Sequence, residues 1–198
     1  MTGSPAAQSW PHRHAAKFYA SERHLYETAA GFLGEGLITG QAAVIIATPS
    51  HADAIQDQLT DRFIDVARAK RSGDLVVLDA ERTLASILIE GQVDPGRFDA
   101  AVRRVIEASC GRRHAAHNRT CGEMVDILRR RGQTDAVLAL ERRWNSGTWT
   151  SPCTVLCGYS MVPVFAQTAH FQEICRQHSH VFDPGSSRIV FSRRGADM

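Results

Sequence analysis

The sequence predicts an α/β protein of three layers, a mainly parallel sheet flanked by helices. Three observations predict it. The runs Ala42–Ala47 and Leu75–Leu78 are apolar at every position, as strands buried on both faces are. Segments between and after them carry apolar residues at helical offsets. Cap and turn signals separate the two kinds of segment in regular alternation.

Residues 1–12 are small, polar and proline-containing, and are expected to be a disordered tail. Ser21 is placed to cap a helix whose face is Leu25, Ala29, Phe32, Leu33 and Gly36, and Gly40 ends it. After strand 42–47, Thr48-Pro49 reads as an N-cap followed by proline at the first helical position. Ile55, Leu59, Phe63 and Val66 form the inner face of that helix, and Gly73 stops it. Strand 75–78 follows, then a short helix through Leu84, Ile87 and Leu88, closed by Gly91. Asp94-Pro95 repeats the cap-plus-proline start before the stripe Phe98, Ala101, Val102, Val105 and Ile106. The alternation calls for a third strand at 112–121, where RRHAAHNRTC has poor strand propensity. Met124, Val125 and Leu128 mark a helix ended by Gly132; Ala136, Val137, Leu140 and Trp144 mark another. Cys153–Cys157 is a further strand and 165–180 a last helix. Arg188–Phe191 reads as an edge strand or docking segment within a C-terminal tail, 183–198. One domain, 13–182, is expected.

Composition excludes several classes. With 198 residues, 43% hydrophobic and 22% charged, the chain is globular rather than disordered. A net charge of +2 is too balanced for a nucleic-acid reading. No apolar run approaches the ~18–20 residues of a membrane span, and no secretory signal opens the sequence. Five cysteines, an odd number, point to a reduced, cytoplasmic protein.

Known chemical motifs are missing. No G-x-x-x-x-G-K-[ST] phosphate loop and no G-x-G-x-x-G between strand and helix is present, so nucleotide binding is not expected, and no cofactor of any kind is expected. No G-x-S-x-G elbow supplies a nucleophile, and no catalytic residue is assigned. Among nine histidines, His178 and His180 lie near the end of the last helix with Cys175. No metal is expected, because helix-terminal histidines serve the dipole and the solvent; these three are the candidates if one is held. Cys153 and Cys157, four apart in a strand, are ~13 Å apart and cannot jointly chelate.

In parallel sheets, ligands bind beyond the carboxyl ends of the strands. That edge gathers Thr48, Ser50 and His51, then Asp79, Gly122 and Glu123, then Tyr159 and Ser160. Glu141 and Trp144, at i and i+3, pair a carboxylate with an aromatic wall. His51, Glu123, Glu141, Trp144 and Tyr159 are the expected ligand-binding residues, with capping of its own helix as the competing role for Glu123.

Six segments occur in a recognisable order: His14-x-x-x-Phe18-Tyr19, Phe32-Leu33-x-Glu35-Gly36-Leu37-x-x-Gly40, Ile46-Ala47-Thr48-Pro49-x-His51, Gly122-Glu123-Met124-Val125-Asp126-x-Leu128, Leu140-Glu141-x-x-Trp144-Asn145 and Leu156-Cys157-x-Tyr159. Together they resemble MEDS, the DcmR-type sensory domain of methanogens and methylotrophs, from about His14 to His180. The resemblance implies a RecA/KaiC-like core without a phosphate loop. It also implies sensing of small molecules such as hydrocarbon derivatives, alone or beside DNA-binding or kinase modules; neither module is expected in this chain. The expectation is a non-enzymatic cytoplasmic module that binds a small molecule and regulates a protein partner, a kinase or transcription factor, with a homodimer left open. The alternatives are a small-molecule enzyme using Glu123 as general base, or a pure interaction subunit.

Overall fold

The computed structural model describes residues 14–109, 117–146, 153–161, 165–185 and 189–192. The expected tail 1–12 lies outside them, as do residues 112–116 of the expected third strand and Arg188.

The elements follow in order: β1 (His14–Tyr19), α1 (Glu22–Ile38), β2 (Ala42–Ala47), α2 (Pro49–Asp61), α3 (Val66–Ser72), β3 (Leu75–Asp79) and α4 (Ala80–Ile87). A two-strand hairpin, β4 (Leu88–Ile89) and β5 (Gln92–Val93), precedes α5 (Pro95–Ser109) and β6 (Asn118–Gly122). Then come α6 (Met124–Arg130), α7 (Thr134–Asn145), β7 (Cys153–Ser160), a 3₁₀ turn, α8 (Ala169–Gln177), β8 (His180–Phe182) and β9 (Ile189–Ser192). The main sheet has the order β3-β2-β6-β7-β1-β8-β9. Every pairing is parallel except β8 with β9.

Alternation along the strands builds two cores. Ala43, Ile45 and Ala47 of β2 face Leu33, Ile55 and Leu59 of α1 and α2. Val44 and Ile46 face the opposite layer, with Leu84, Phe98, Leu128 and Leu140 from α4 to α7. This is the predicted three-layer α/β architecture.

Several local readings change, and Leu88 is one: it opens the β4–β5 hairpin instead of ending α4, because Val93 pairs with it. β1 has no counterpart in the sequence analysis, because Lys17 interrupts its apolar character. Lys17 is tolerated because its ammonium donates to the Asp183 and Pro184 carbonyls at 2.5 and 3.4 Å, while burial pulls its pKa down to about 8. The ambiguous third strand is β6, central between β2 and β7. Its polar Arg119 donates to Glu35 Oε2 (2.8 Å), Phe32 O (2.9 Å) and Gln41 Oε1 (2.8 Å), so pairing on both sides overrides propensity. Phe63 does not join an inner helical face. α2 stops at Asp61, and Phe63 sits fully exposed with φ of 62° in the turn before α3. The predicted last helix ends at Gln177, and the chain at His180 becomes a strand because β1 offers it a partner.

Candidate functional site

The five expected ligand residues occupy three places. His51 and Glu123 meet at the carboxyl edge of the sheet. Glu141 and Tyr159 lie inside the layer beside α7, and Trp144 lines a separate apolar cavity.

The sheet edge follows from topology. From β2 the chain leaves toward β3, and from β6 it leaves toward β7, so the ends of β2 and β6 form a switch point. Glu123 starts α6 yet makes no side-chain cap. Its carboxylate reaches across the switch point, accepting from the Thr48 amide and pairing with His51 Nδ1 at 2.6 Å. The hydrogen bond to Glu123 raises the His51 pKa despite partial burial. Burial opposes ionisation of Glu123, but His51 and Thr48 outweigh it and hold the carboxyl below its ordinary range. Beside this pair an open polar cleft of about 470 Å³ is lined by Tyr19, Glu22, His51, Arg130 and Ser160. Asp79 caps α4 through the Arg82 amide at 2.8 Å. Asp126, not anticipated from sequence, is buried and accepts from Ser160 N and Oγ at 3.1 and 2.8 Å and from Arg129.

Tyr159 is not on the rim. Pairing with β1 extends β7 to Ser160 and puts Tyr159 wholly inside. Its hydroxyl donates to Glu141 Oε1 and its ring stacks on Phe18 at 5.2 Å. Around Glu141 gather His14 Nε2 at 2.8 Å, His178 Nε2 at 3.4 Å and Cys157 Sγ at 3.7 Å. Burial, reinforced by Glu141, pushes the Tyr159 hydroxyl and the Cys157 thiol well above their usual values. Burial would raise the Glu141 pKa, but His178 and His14 hold it well down. Of the metal candidates, only His178 belongs to this cluster. Cys175 packs on the hydrophobic core, and His180 Nδ1 meets Ser179 Oγ at 3.2 Å on a strand.

The third place lies under α5. Val102 and Phe98 of α5, Ile87, Val44, Met124 and Trp144 enclose an apolar cavity of about 30 Å³. Trp144 meets Phe98 edge-on at 5.0 Å. Asn118 lines the cavity and is 1% exposed, and both its amide atoms are without a hydrogen-bond partner among the described residues. Sequence reasoning missed it because a strand asparagine carries no periodic signal. Adjoining this cavity, α5 also borders an open groove of about 290 Å³ lined by Val76, Leu78 and Arg104. Thr83, Ala101 and Val105 line both spaces.

Residues 13–178 match the family model described as the MEthanogen/methylotroph, DcmR Sensory domain, MEDS. The chain belongs to this family. No curated protein matches it. Among solved structures, this MEDS domain is similar to a KaiC-like protein from the hyperthermophilic archaeon Pyrococcus horikoshii OT3. The two share 14% identity at a TM-score of 0.55, over 84% of this chain and 70% of that one. That likeness shows the fold. No helix among the described residues is long and apolar enough to cross a membrane.

Proposed function

We propose that this MEDS domain is a non-enzymatic sensor of a small, chiefly apolar molecule carrying one hydrogen-bonding group, and that the molecule binds beneath α5. One observation carries the reading: a buried asparagine amide with no partner among the described residues borders an apolar cavity. An unsatisfied buried amide costs about 1–3 kcal/mol, and a ligand hydroxyl, carbonyl or amide recovers it. The apolar walls suit a hydrocarbon-like remainder, in keeping with what the family resemblance implies.

The cavity of about 30 Å³ is far below the ~300 Å³ of an ordinary ligand pocket. A ligand therefore enters by lifting α5, which already borders two adjoining, largely apolar spaces. Displacement of α5 is the output that a partner protein reads. Binding stabilises the lifted state only through its differential contacts there.

A thermal-shift panel of short alcohols, ketones, amides and halocarbons tests this. Wild type should be stabilised by members that pair an apolar body with a polar group, and Asn118→Leu should lose that preference. Equal response of both proteins to every compound refutes the role of Asn118. The polar cleft beside His51 is the second reading, favoured by its place at the switch point. Stabilisation by polar or anionic compounds alone, lost in His51→Ala, would support it instead.

A further inference from the structure

We propose that His14, Glu141, Cys157 and His178 form a closed binding site for a divalent transition metal of borderline softness, zinc(II) foremost. These four side chains are buried, and they offer ligand atoms that all lie within 4.8 Å of one another. The donor set, two imidazoles, a carboxylate and a thiolate, is one that zinc accepts in four-coordinate sites.

The spacing fits a tetrahedron. Bonds of ~2.0–2.3 Å imply ligand–ligand edges of ~3.3–3.7 Å. His14 Nε2 to Cys157 Sγ is 3.3 Å and Cys157 Sγ to Glu141 Oε2 is 3.7 Å, while His178 Nε2 stands 3.4 Å from the other oxygen of the same carboxylate, Oε1. His14 Nε2 to Glu141 Oε2, at 2.8 Å, must open by about half an ångström to reach such an edge.

The surrounding hydrogen bonds fix the tautomers. Asn145 Nδ2 donates to the Gln177 carbonyl at 2.7 Å, so its Oδ1 faces His14 Nδ1 at 2.9 Å and accepts from it. His178 Nδ1 donates to the Ile174 carbonyl at 2.7 Å. Both rings thus aim Nε2 at the same carboxylate, and His178 Nε2 has no hydrogen-bond partner among the described residues. An imidazole Nε2 on each side of a buried carboxylate calls for positive charge between them, supplied by protons on the rings or by one metal ion. Histidines that ligate metals are held this way, with the distal N–H on an oxygen acceptor. Tyr159 donates to Glu141 Oε1 and leaves Oε2 for the ion.

The ligands come from β1, α7, β7 and the turn after α8, and no position remains for substrate. The site is structural: it fastens the two ends of the domain together. Loading accompanies folding, because a thiolate, a carboxylate and two neutral imidazoles are assembled only in the folded chain.

The test uses the full chain, unfolded with a chelator and refolded anaerobically with zinc or with cobalt(II). We expect one metal ion per chain by elemental mass spectrometry, and a thiolate-to-cobalt charge-transfer band in the near ultraviolet. Cys157→Ser should abolish the band while keeping the wild-type circular dichroism. Asn145→Ala, which leaves all four ligands in place, should weaken cobalt affinity about 10–100-fold. If Cys157→Ser does not fold, wild-type stoichiometry together with Asn145→Ala still decides. Folded wild-type protein that takes up no stoichiometric metal overturns the proposal, since the cluster is then a proton-filled network. A cobalt band retained in folded Cys157→Ser overturns it as well.

Discussion

Replacing Glu123 by glutamine removes one charge from the switch point and leaves the shape nearly unchanged. The carboxylate holds the Thr48 amide and His51 Nδ1 at once, and the two side chains of the pair are only 4% and 13% exposed. The carbonyl oxygen of the introduced amide still accepts from Thr48, but the charge-assisted bond to His51 becomes a neutral one. Charged hydrogen bonds contribute about 1.5–3 kcal/mol and neutral ones about 0.5–1.5, so the loss is about 1–2 kcal/mol. For a domain of this size that lowers the melting temperature by about 2–8 °C. The pH dependence has a definite sign. His51 titrates above its ordinary 6.5 when folded, so its contribution is complete below 6.5 and fades as pH rises through the raised folded value. Glu123 titrates below its ordinary 4.5, so its contribution stands above 4.5 and fades as pH falls through the depressed value. The gap between wild type and Glu123→Gln should be widest between those limits and shrink toward alkaline pH. Thermal melts followed by circular dichroism from about pH 5 to 9 measure it. A gap that is constant or grows with pH refutes the ion-pair account, and no gap at all leaves Glu123 without a structural role.

Three further changes have defined outcomes. Asn118→Leu removes an unsatisfied buried amide and should stabilise the ligand-free domain by about 1–3 kcal/mol in urea denaturation; destabilisation would mean that the amide is satisfied. Gly36→Ala puts a Cβ 2.8 Å from Arg119 Cδ. Three hydrogen bonds pin that arginine, so the overpacking should cost about 1–3 kcal/mol, and an unchanged denaturation midpoint would show that Arg119 yields freely. Trp144→Ala deletes a nearly buried ring packed on Phe98 and should cost about 3–5 kcal/mol. A loss under about 1 kcal/mol would mean that α5 already collapses into the space.

What the sequence made legible was local. The apolar run of β2, the Pro49 and Pro95 helix starts and the stripe on α5 need no knowledge of neighbours. β1 and β6 did need it. His14-Ala15-Ala16-Lys17 and Asn118-Arg119-Thr120 become strands because flanking strands pair with them and because carbonyls or Glu35 receive their cations. Strand order explains why the expected pocket divides. Glu123 and His51 fall near one edge because Glu123 directly follows β6 and His51 lies in the first turn of the helix after β2. Tyr159 was placed there too, but β1 lies against β7 and carries that strand past it into the interior. Glu141 and Trp144, three apart on α7, face different surroundings: one meets His14 and His178, the other Phe98 and the cavity. The motif His14-x-x-x-Phe18 gains its physical meaning in the fold, where His14 enters the Glu141 cluster and Phe18 stacks on Tyr159.

The side-chain amide resonances of Asn118, followed by two-dimensional NMR during titration with a short-chain alcohol or ketone active in the thermal-shift panel, test the sensing account most directly. The account predicts that these resonances shift together with backbone amides along α5, with the sheet-edge amides of Thr48, His51 and Ser160 unmoved. Binding that shifts the sheet edge and leaves Asn118 and α5 unchanged would contradict it.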